Sequence, residues 1–537
     1  MNIPLTALTW GVAALPIVAL LVLMVGFQWG AMKAAPVGVL IAALSGLFLY
    51  QANLGLMFIE TLKGLWSAMV VLLVVWPAIL LFEVVSEAKA FGVIRKGLQK
   101  YTPNELIQVI TLGWVFMSFL QGITGFGVPV AVGAPLLVGI GVTPIWAVLI
   151  PLIGHAWANT FGTLAVAWNA LVLQTNLASD PALLLETAMW AAIFIWIWNF
   201  ITGIAISWIY GGKEGLRKGL PAVLVISLIQ GGGQLLLSQV NQTLAAFVPA
   251  VISMAAVLLL SKTKMYGSVW SLSNSKVMDR TRVQASDEDG PSNMGLHQAF
   301  FPYYALTFIT LFILLIDPIK KALGTFTIGF SFIETSTGFG YVNPAVAKFS
   351  PVAPFTHAGT FLIVASLIGF YFYAQKGWIQ KGGMRQVLKR SFQKTLPSAF
   401  AVLGFIVMSR LMGGTGQTVV LARGIANSLG RSYAILAPVV GMLGAFMTSS
   451  NMASNILFGE FQLTTAQLLN LSVAPILGAQ TAGGAIGNTI CPGNIILGTT
   501  TAGILGQEGI VLKKVLPITV TAAVIVGAIL FITQVMV

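Results

Sequence analysis

Between Gly113 and Leu171 the chain reads GWVFMSFLQGITGFGVPVAVGAPLLVGIGVTPIWAVLIPLIGHAWANTFGTLAVAWNAL. This stretch is apolar enough to lie in a membrane, yet glycines and prolines interrupt it repeatedly and polar side chains such as His155 lie within it. Lipid forces exposed backbone into helices or closed barrels, so a broken backbone at membrane depth is tolerated only where protein or a water-filled cavity surrounds it. We therefore expect this stretch to form a functional site.

The composition indicates an integral membrane protein. Of the 537 residues, 57% are hydrophobic and only 8% are charged, and the mean hydropathy is +0.91. Such a chain has too little polar surface to cover a soluble globule. Its apolar runs of about 17 to 25 residues match helical spans, whereas a membrane barrel would show roughly ten-residue segments of alternating polarity. The predicted fold class is an all-α polytopic membrane protein.

The net charge of +13 comes from lysines and arginines that cluster in short connections between the apolar runs. This placement follows the positive-inside rule, so the charge sets membrane topology and argues against nucleic acid as a partner. The longest polar segment divides the chain into an N-terminal transmembrane half (1–261), a polar cytoplasmic loop (262–299) and a C-terminal transmembrane half (300–537). We expect this loop to be mobile.

Topology follows from placing the four strongly basic connections on the cytoplasmic side, which requires an even number of crossings between consecutive connections. The count works if residues 330–347 dip into the membrane and return, and both termini are then external. About 12 to 16 membrane-embedded segments are expected.

The sequence contains few features that are typical of an enzyme. The single cysteine, Cys491, excludes an intrachain disulfide and a CxxC metal or redox site. The chain has three histidines, no evident cluster of metal ligands and no nucleophile–base pair. A G-x-x-x-x-G-K-[ST] motif is also missing, which disfavours an ATP-driven pump. We expect neither an enzyme nor a cofactor.

Two parts of the chain share a pattern. PLIGHAWANT (151–160) and PILGAQTAGGAIGNT (475–489) both contain P-[LI]-[IL]-G-x-x-x-A followed by an Asn-Thr pair, and chance similarity between Gly/Ala-rich segments is the alternative. TGFG also occurs twice, at 124–127 and 337–340, although not at equivalent places. Discontinuous helices at matching places are typical of secondary transporters with inverted repeats. We predict two inverted repeats with broken or re-entrant helices, and an elevator-type movement is left open.

Two long blocks resemble the L-lactate permease family of bacterial membrane transporters. They are FLQGITGFGVPVAVGAPLLVGIG (119–141) and, near the C-terminus, SSNMASNILFGEFQLTTAQ (449–467) with QTAGGAIGNTICPGNI (480–495). The resemblance covers nearly the whole chain. It implies a secondary transporter in the cytoplasmic (inner) cell membrane that takes up a short 2-hydroxymonocarboxylate, such as lactate or glycolate, usually with a proton. A homo-oligomer is left open.

The chain departs from the family pattern at three positions. The pattern has a glutamate at the position of Gln121, an aspartate at that of Asn451 and a lysine at that of Asn488, so three expected charges are amides here. Because these positions no longer carry charge, sodium remains the rival to the proton as coupling ion. The alternatives are therefore a sodium-coupled carrier of another small organic anion and, from another class, an anion channel.

A carboxylate substrate needs hydrogen-bond donors, which broken helices supply at half-helix N-termini, and an arginine offers a bidentate cation. The predicted substrate-binding residues are Thr124, Gly125, Phe126, Gly127, His155, Arg410, Ser449, Ser450, Asn451, Ser454 and Asn455. The coupling ion needs a titratable group or a set of oxygen ligands. The predicted coupling-ion residues are His155 and Glu334 for a proton, and Asn159, Thr160, Asn488 and Thr489 for sodium.

Each of these predictions has a structural alternative. The serines and asparagines also suit interhelical hydrogen bonding, and His155 can be a buried neutral histidine bonded to a neighbouring helix. Arg410 and Glu334 can snorkel from a helix end or pair within the bundle.

Overall fold

The computed structural model describes residues 3–535 except Gln28, Thr102, Phe126, Asn274 and 283–289. Within this part of the chain, ten helices are long and apolar enough to cross a membrane, and eleven if a bent pair is taken as one span. That pair, Pro144–Asn159 and Gly162–Thr175, is bent by 55°. The chain is therefore a multi-pass, predominantly α-helical membrane protein.

The first half contains twelve helices in its described residues. They are α1 Ala7–Leu21, α2 Ala31–Phe48, α3 Leu54–Glu87, α4 Ala90–Tyr101, α5 Glu105–Ile110, α6 Phe116–Ile123, α7 Val128–Gly139, α8 Pro144–Ala156, α9 Gly162–Thr175, α10 Pro181–Ser227, α11 Gly233–Ser238 and α12 Phe247–Leu260. Three stretches of π-helix extend or join them, at Val22–Gly26, Thr111–Val115 and Leu228–Gly232.

The second half adds eleven helices and a short β-structure among the residues described. The helices are α13 Leu296–Ala299, α14 Phe301–Leu315, α15 Asp317–Gly324, α16 Ala358–Gln375, α17 Gly383–Gly414, α18 Gln417–Leu429, α19 Tyr433–Thr448, α20 Asn451–Leu468, α21 Val473–Gly487, α22 Pro492–Thr501 and α23 Glu508–Val535. The strands are β1 Ile328–Phe332, β2 Thr335–Ser336, β3 Val342–Asn343 and β4 Val346–Val352.

Two helical hairpins enter the bundle from opposite sides. In the first, α5 and α6 lead to a break at residues 124–127 and α7 returns; in the second, α19 and α20 meet at Ser449 and Ser450. The base of the first hairpin pairs with the polar loop, since the Glu105 amide donates to the Trp270 carbonyl at 3.0 Å. That loop also bonds the lower part of α10, whereas α21, which follows the second hairpin, packs near the start of α10.

Each hairpin is followed by a broken helix. In the first half α8 ends near His155, a short 3-10 turn follows, and α9 begins with three residues, 163–165, in the left-handed region. In the second half α21 ends at Gly487 and α22 begins at Pro492. The predicted broken helices therefore occur at matching places, and both 151–160 and 475–489 run into such a break.

The two halves interlock. α17 packs against α2 and α3, while α9 packs against α20 and α10 packs against α21. We call α2, α3, α16 and α17 the scaffold, and the two hairpins with α8–α10 and α21–α23 the hairpin bundle. The division at 261 and 300 stays a prediction about the chain, because neither half is spatially separate from the other.

The described part of the polar loop is docked, contrary to the expectation of a mobile segment. Tyr266 is buried, and its hydroxyl accepts from the Ala222 amide and donates to the Lys218 carbonyl. Further along, Arg280 makes a bidentate contact with the Glu105 carboxylate at 2.7 and 2.9 Å. Charged and polar residues of the loop thus find partners on the helix ends beneath it.

Residues 330–347 do not dip into the membrane, so this expectation was wrong. They belong to a β-structure in which β1 pairs with β4 and β2 with β3, both antiparallel. It packs on α3 through Trp66, which donates to the Phe349 carbonyl, and on the end of α17 through Asn343, which donates to the Gly414 carbonyl. We call residues 328–352 the external hairpin.

Candidate functional site

A cavity lies where the tips of the two helical hairpins face the two helix breaks. Its volume is about 40 Å³. Its lining is mostly uncharged and polar, and consists of Gln121, Gly127, Asn159, Thr163, Val166, Ala167, Ser449, Ser450, Asn451, Met452, Asn488 and Asn494. No residue of this lining is ionisable at neutral pH, so a ligand here meets amides, hydroxyls and backbone.

The first tip depends on glycine. Gly125 and Gly127 have φ of +58° and +80°, which L-residues rarely adopt. A Cβ at Gly125 would collide with Thr163 Oγ1, and one at Gly127 would lie 2.6 Å from Leu497 Cδ2. α7 begins directly after Gly127. The tip therefore brings backbone and the start of a helix close to the cavity.

The second tip presents the start of α20. Ser449 has φ +58°, and its hydroxyl accepts from the Gly493 amide at 3.0 Å. Ser450 is the N-cap of α20, where its hydroxyl accepts from the Ala453 amide at 3.3 Å. The positive ends of two helix dipoles, α7 and α20, thus lie at one cavity, which favours an anion there.

Polar side chains connect the two halves beside this cavity. Asn451 Nδ2 donates to Thr160 Oγ1 at 3.1 Å, and the Thr160 and Thr481 hydroxyls lie 3.1 Å apart. Asn455 Nδ2 donates to Thr481 Oγ1 and to the Ala167 carbonyl, both at 2.9 Å. The helix break of the first repeat is therefore joined to α21 of the second through the first turns of α20.

Three buried amide atoms near the tips have no hydrogen-bond partner among the described residues. They are Asn159 Nδ2, Asn451 Oδ1 and Asn455 Oδ1. A buried polar atom without a partner costs on the order of 1–3 kcal/mol. Asn159 and Asn451 line the cavity, so a bound ligand or ion can satisfy these atoms.

His155 lies behind the cavity. Its side chain is 1% exposed, its Nδ1 is 2.7 Å from the Pro151 carbonyl oxygen, and its Nε2 is 3.1 Å from Asn488 Oδ1. Asn488 Oδ1 also accepts from Asn494 Nδ2 at 2.7 Å. His155 therefore positions two cavity amides and does not itself form the cavity wall.

A larger chamber adjoins the cavity. It has a volume of about 500 Å³ and shares Ser449, Ser450, Met452 and Asn494 with the cavity. Its other walls come from the start of α2 and the middle of α17, including Pro397. Lys33 is its only ionisable lining residue in the described part of the chain. The chamber therefore adjoins the cavity on the side of Lys33.

The structure brings together most of the predicted site residues. Gly127, Asn159, Ser449, Ser450, Asn451 and Asn488 line the cavity, while Gly125, Thr160 and Asn455 lie directly behind it. Thr124 and Ser454 bond backbone carbonyls beneath the tips, and Thr489 bonds Thr519 of α23. Phe126 lies outside the described residues.

Two predicted residues lie elsewhere. Arg410 pairs with Glu60 of α3, its Nη2 being 2.6 Å from Glu60 Oε2, so its guanidinium is engaged within the protein and lines neither chamber. Glu334 is exposed in the external hairpin between β1 and β2. Both residues were predicted for the site because each lies in an apolar run of the sequence. In the structure, Glu334 belongs to a β-structure outside the helical bundle, and Arg410 is held in an ion pair.

Sequence reasoning did not select Gln121, Thr163 or Asn494 as site residues, although all three line the cavity. The sequence did contain a signal for Gln121, because the resemblance implies a glutamate at this position. Gln121, Asn451 and Asn488, the three amides at positions where the resemblance implies charged residues, all line this one cavity. The departures from the pattern are thus concentrated in the site.

A model of one protein family, described as L-lactate permease, matches residues 10–537. The chain belongs to the L-lactate permease family. An L-lactate permease of Halalkalibacterium halodurans is 25% identical to this permease over 512 residues, covering 94% of this chain and 93% of the relative. Glycolate permease GlcA of Escherichia coli is 25% identical over 533 residues, covering 93% and 90%.

Among solved structures, the permease is similar to the YdaH transporter of Alcanivorax borkumensis. The likeness covers 88% of this chain and 87% of that one, with a TM-score of 0.42 and 12% identity.

Proposed function

We propose that this permease is a secondary active transporter that takes up a short 2-hydroxymonocarboxylate, lactate or glycolate, together with a proton. The observation that carries the proposal is the cavity between the two hairpin tips. Its amide and hydroxyl donors and the starts of α7 and α20 suit one carboxylate and a neighbouring hydroxyl group. The names of its relatives supply the substrate class.

Alternating access is the mechanism that this architecture favours. Two hairpins of opposite orientation meet at one cavity, and the hairpin bundle packs against the scaffold. Movement of the hairpin bundle against the scaffold, as in an elevator, would expose the cavity first to one side and then to the other. An anion channel would instead need a continuous pore with weak binding sites.

Sodium coupling is the second candidate, and one observation favours it. Asn451 Oδ1 and Asn455 Oδ1 are buried oxygens without a partner in the described residues, and the Thr160 and Thr481 hydroxyls lie beside them. Neutral oxygens on broken helices are typical ligands of a coupled sodium ion. None of these amide and hydroxyl oxygens has to ionise in order to bind sodium.

Uptake into proteoliposomes distinguishes these functions. Purified permease is reconstituted, and labelled L-lactate and glycolate uptake is measured with a proton gradient alone and then with a sodium gradient alone. We expect accumulation above equilibrium with the proton gradient. Acceleration by sodium only would replace the proton proposal by the sodium one, and equilibration without accumulation under either gradient would indicate a channel.

A further inference from the structure

A cluster of four ionisable residues lies between the scaffold, α20 and the external hairpin; Glu60 and Lys63 are buried, and Arg410 and Glu460 are half-buried. Glu60 is fully buried and binds both cations of the cluster: its Oε1 accepts from Lys63 Nζ at 2.7 Å, and its Oε2 accepts from Arg410 Nη2 at 2.6 Å and Nε at 3.1 Å. The fourth member is Glu460 of α20. Glu60 therefore has two ion-pair partners, whereas Glu460 has none within the described residues.

Glu460 lies against the end of α17. A Cβ at Gly413 would be 2.6 Å from Glu460 Oε1, and one at Gly414 would be 2.5 Å from Glu60 Cγ. The two glycines thus let a carboxylate of the hairpin bundle and one of the scaffold approach the same helix end. Glu460 Oε2 is buried and has no hydrogen-bond partner in the described residues.

The other groups around Glu460 do not supply a free titratable partner. Burial, with the carboxylates of Glu460 and Glu60 adding to it, raises the pKa of Tyr341 in the external hairpin to about 12, so this phenol stays neutral. α9 and α21, which also pack on α20, contain no ionisable residue. The remaining ionisable residues on elements packed against α20 are Arg423 of α18, Tyr433 of α19 and, on α17, Arg410 near its end and Arg385, Lys389, Arg390 and Lys394 near its start.

One rigid helix joins Glu460 to the cavity. Asn451, in the first turn of α20, lines the cavity, and Glu460 follows nine residues later, about 14 Å along the axis. Arg410 and Glu60 belong to the scaffold. Protonation of Glu460 and ligand binding in the cavity therefore act on the same helix, and both affect the contact of that helix with the scaffold.

We propose that Glu460 is the carboxyl group that carries the coupled proton. An ionised Glu460 is a buried charge held near the scaffold by Arg410, whereas a protonated Glu460 is neutral and frees α20 from that attraction. The proton binds the carboxylate on the side of uptake, travels with the substrate anion and leaves on the other side. The cavity lining has no ionisable group for this task.

This inference rests on the proposed function and deepens it, so its test uses two assays. Counterflow of labelled L-lactate at equal pH needs substrate binding and movement but no net proton transfer. Accumulation driven by a gradient of one pH unit needs coupling and reaches about tenfold for one proton per substrate. Wild type without counterflow of lactate or glycolate would contradict the proposed function, whatever Glu460 does.

The variants are Glu460→Gln and Glu460→Asp, with Glu83→Gln as control. Glu83 is another buried membrane carboxylate, but it pairs with Lys394 at 2.5 Å, away from α20. We expect Glu460→Gln to retain counterflow and to lose the tenfold accumulation, while Glu460→Asp and Glu83→Gln keep both. Accumulation by Glu460→Gln at the wild-type level would overturn the proposal. So would loss of both activities in protein that melts like wild type, because Glu460 would then serve binding or movement.

Discussion

His155 Nε2 lies 3.1 Å from Asn488 Oδ1, and this hydrogen bond joins the broken helix of one repeat to that of the other across 333 residues of chain. Because the second ring nitrogen faces the Pro151 carbonyl, the ring is held between two oxygens. A neutral imidazole donates to one of them and an imidazolium to both. The pair orients the amide of Asn488 toward the cavity.

This pairing predicts energetic coupling. We expect His155→Ala and Asn488→Ala each to lower the uptake rate, and the double variant to be little worse than either, with a coupling energy of about 0.5–3 kcal/mol. Uptake kinetics of the four proteins measure it. The exposed pair His297 and Tyr304, whose Nδ1 and hydroxyl are 3.0 Å apart, is the control cycle and should show additive effects. Additive effects of the two substitutions on the uptake rate would show that the contact between His155 and Asn488 has no role in transport.

The first tip requires glycine at position 125. Gly125→Ala forces a left-handed residue, which costs roughly 1–2 kcal/mol, and adds a methyl group against Thr163 Oγ1. Since the tip borders the cavity, we expect uptake to fall by at least about tenfold while protein remains in the membrane. Gly340→Ala is the matched control, because Gly340 has φ +70° with open space around it. Normal uptake by Gly125→Ala would remove the tip from the transport site.

Asn159 supplies an unused donor to the cavity. Its Nδ2 has no partner among the described residues, so a substrate carboxylate can accept from it. A hydrogen bond to a charged group contributes about 1.5–3 kcal/mol, and we expect Asn159→Leu to raise the KM for L-lactate about tenfold or more. Asn427→Leu, on the exposed face of α18, should leave the KM unchanged. The prediction fails if both variants have the wild-type KM.

Lys33 gives the larger chamber its positive charge. An attractive charge at an entrance raises the local concentration of an anionic substrate, and salt screens this effect. We therefore expect Lys33→Glu to raise the KM several-fold at low ionic strength, with a smaller difference at high ionic strength. Lys513→Glu, exposed at the start of α23 and outside the chamber, controls for net charge. Equal KM values for both variants at low salt would show that the solute does not pass Lys33.

The docked loop depends on Arg280. Its hydrogen bonds to Glu105 hold the pKa of Arg280 above the usual range, so the guanidinium stays charged in any working buffer. Because this pair is partly exposed, Arg280→Ala should lower the free energy of unfolding by no more than about 1 kcal/mol. Limited proteolysis should nevertheless cleave the loop faster in the variant. Lys276→Ala, in the same loop, is the control, and equal cleavage rates would mean that other contacts dock the loop.

The sequence determined the character of this protein through local properties. Composition and run lengths specified a helical membrane protein, and glycines and prolines marked 124–127 and the two Asn-Thr segments as breaks, because backbone freedom and the loss of an amide donor act within a few residues. The family blocks specified the transporter class. These features need no knowledge of which distant residues meet.

Only the tertiary structure decided which residues share a site. Asn451 contacts Thr160, and Arg410 contacts Glu60, across hundreds of residues, and such contacts depend on how whole helices pack. Glu460 is not among the residues that the sequence predicts for the site, and only packing placed it on Gly413 beside the ion pairs of Glu60. Conversely, Glu334 resembled a buried carboxyl until strand pairing placed it outside. Burial and partnership arise from the assembled helices, which local pattern does not encode.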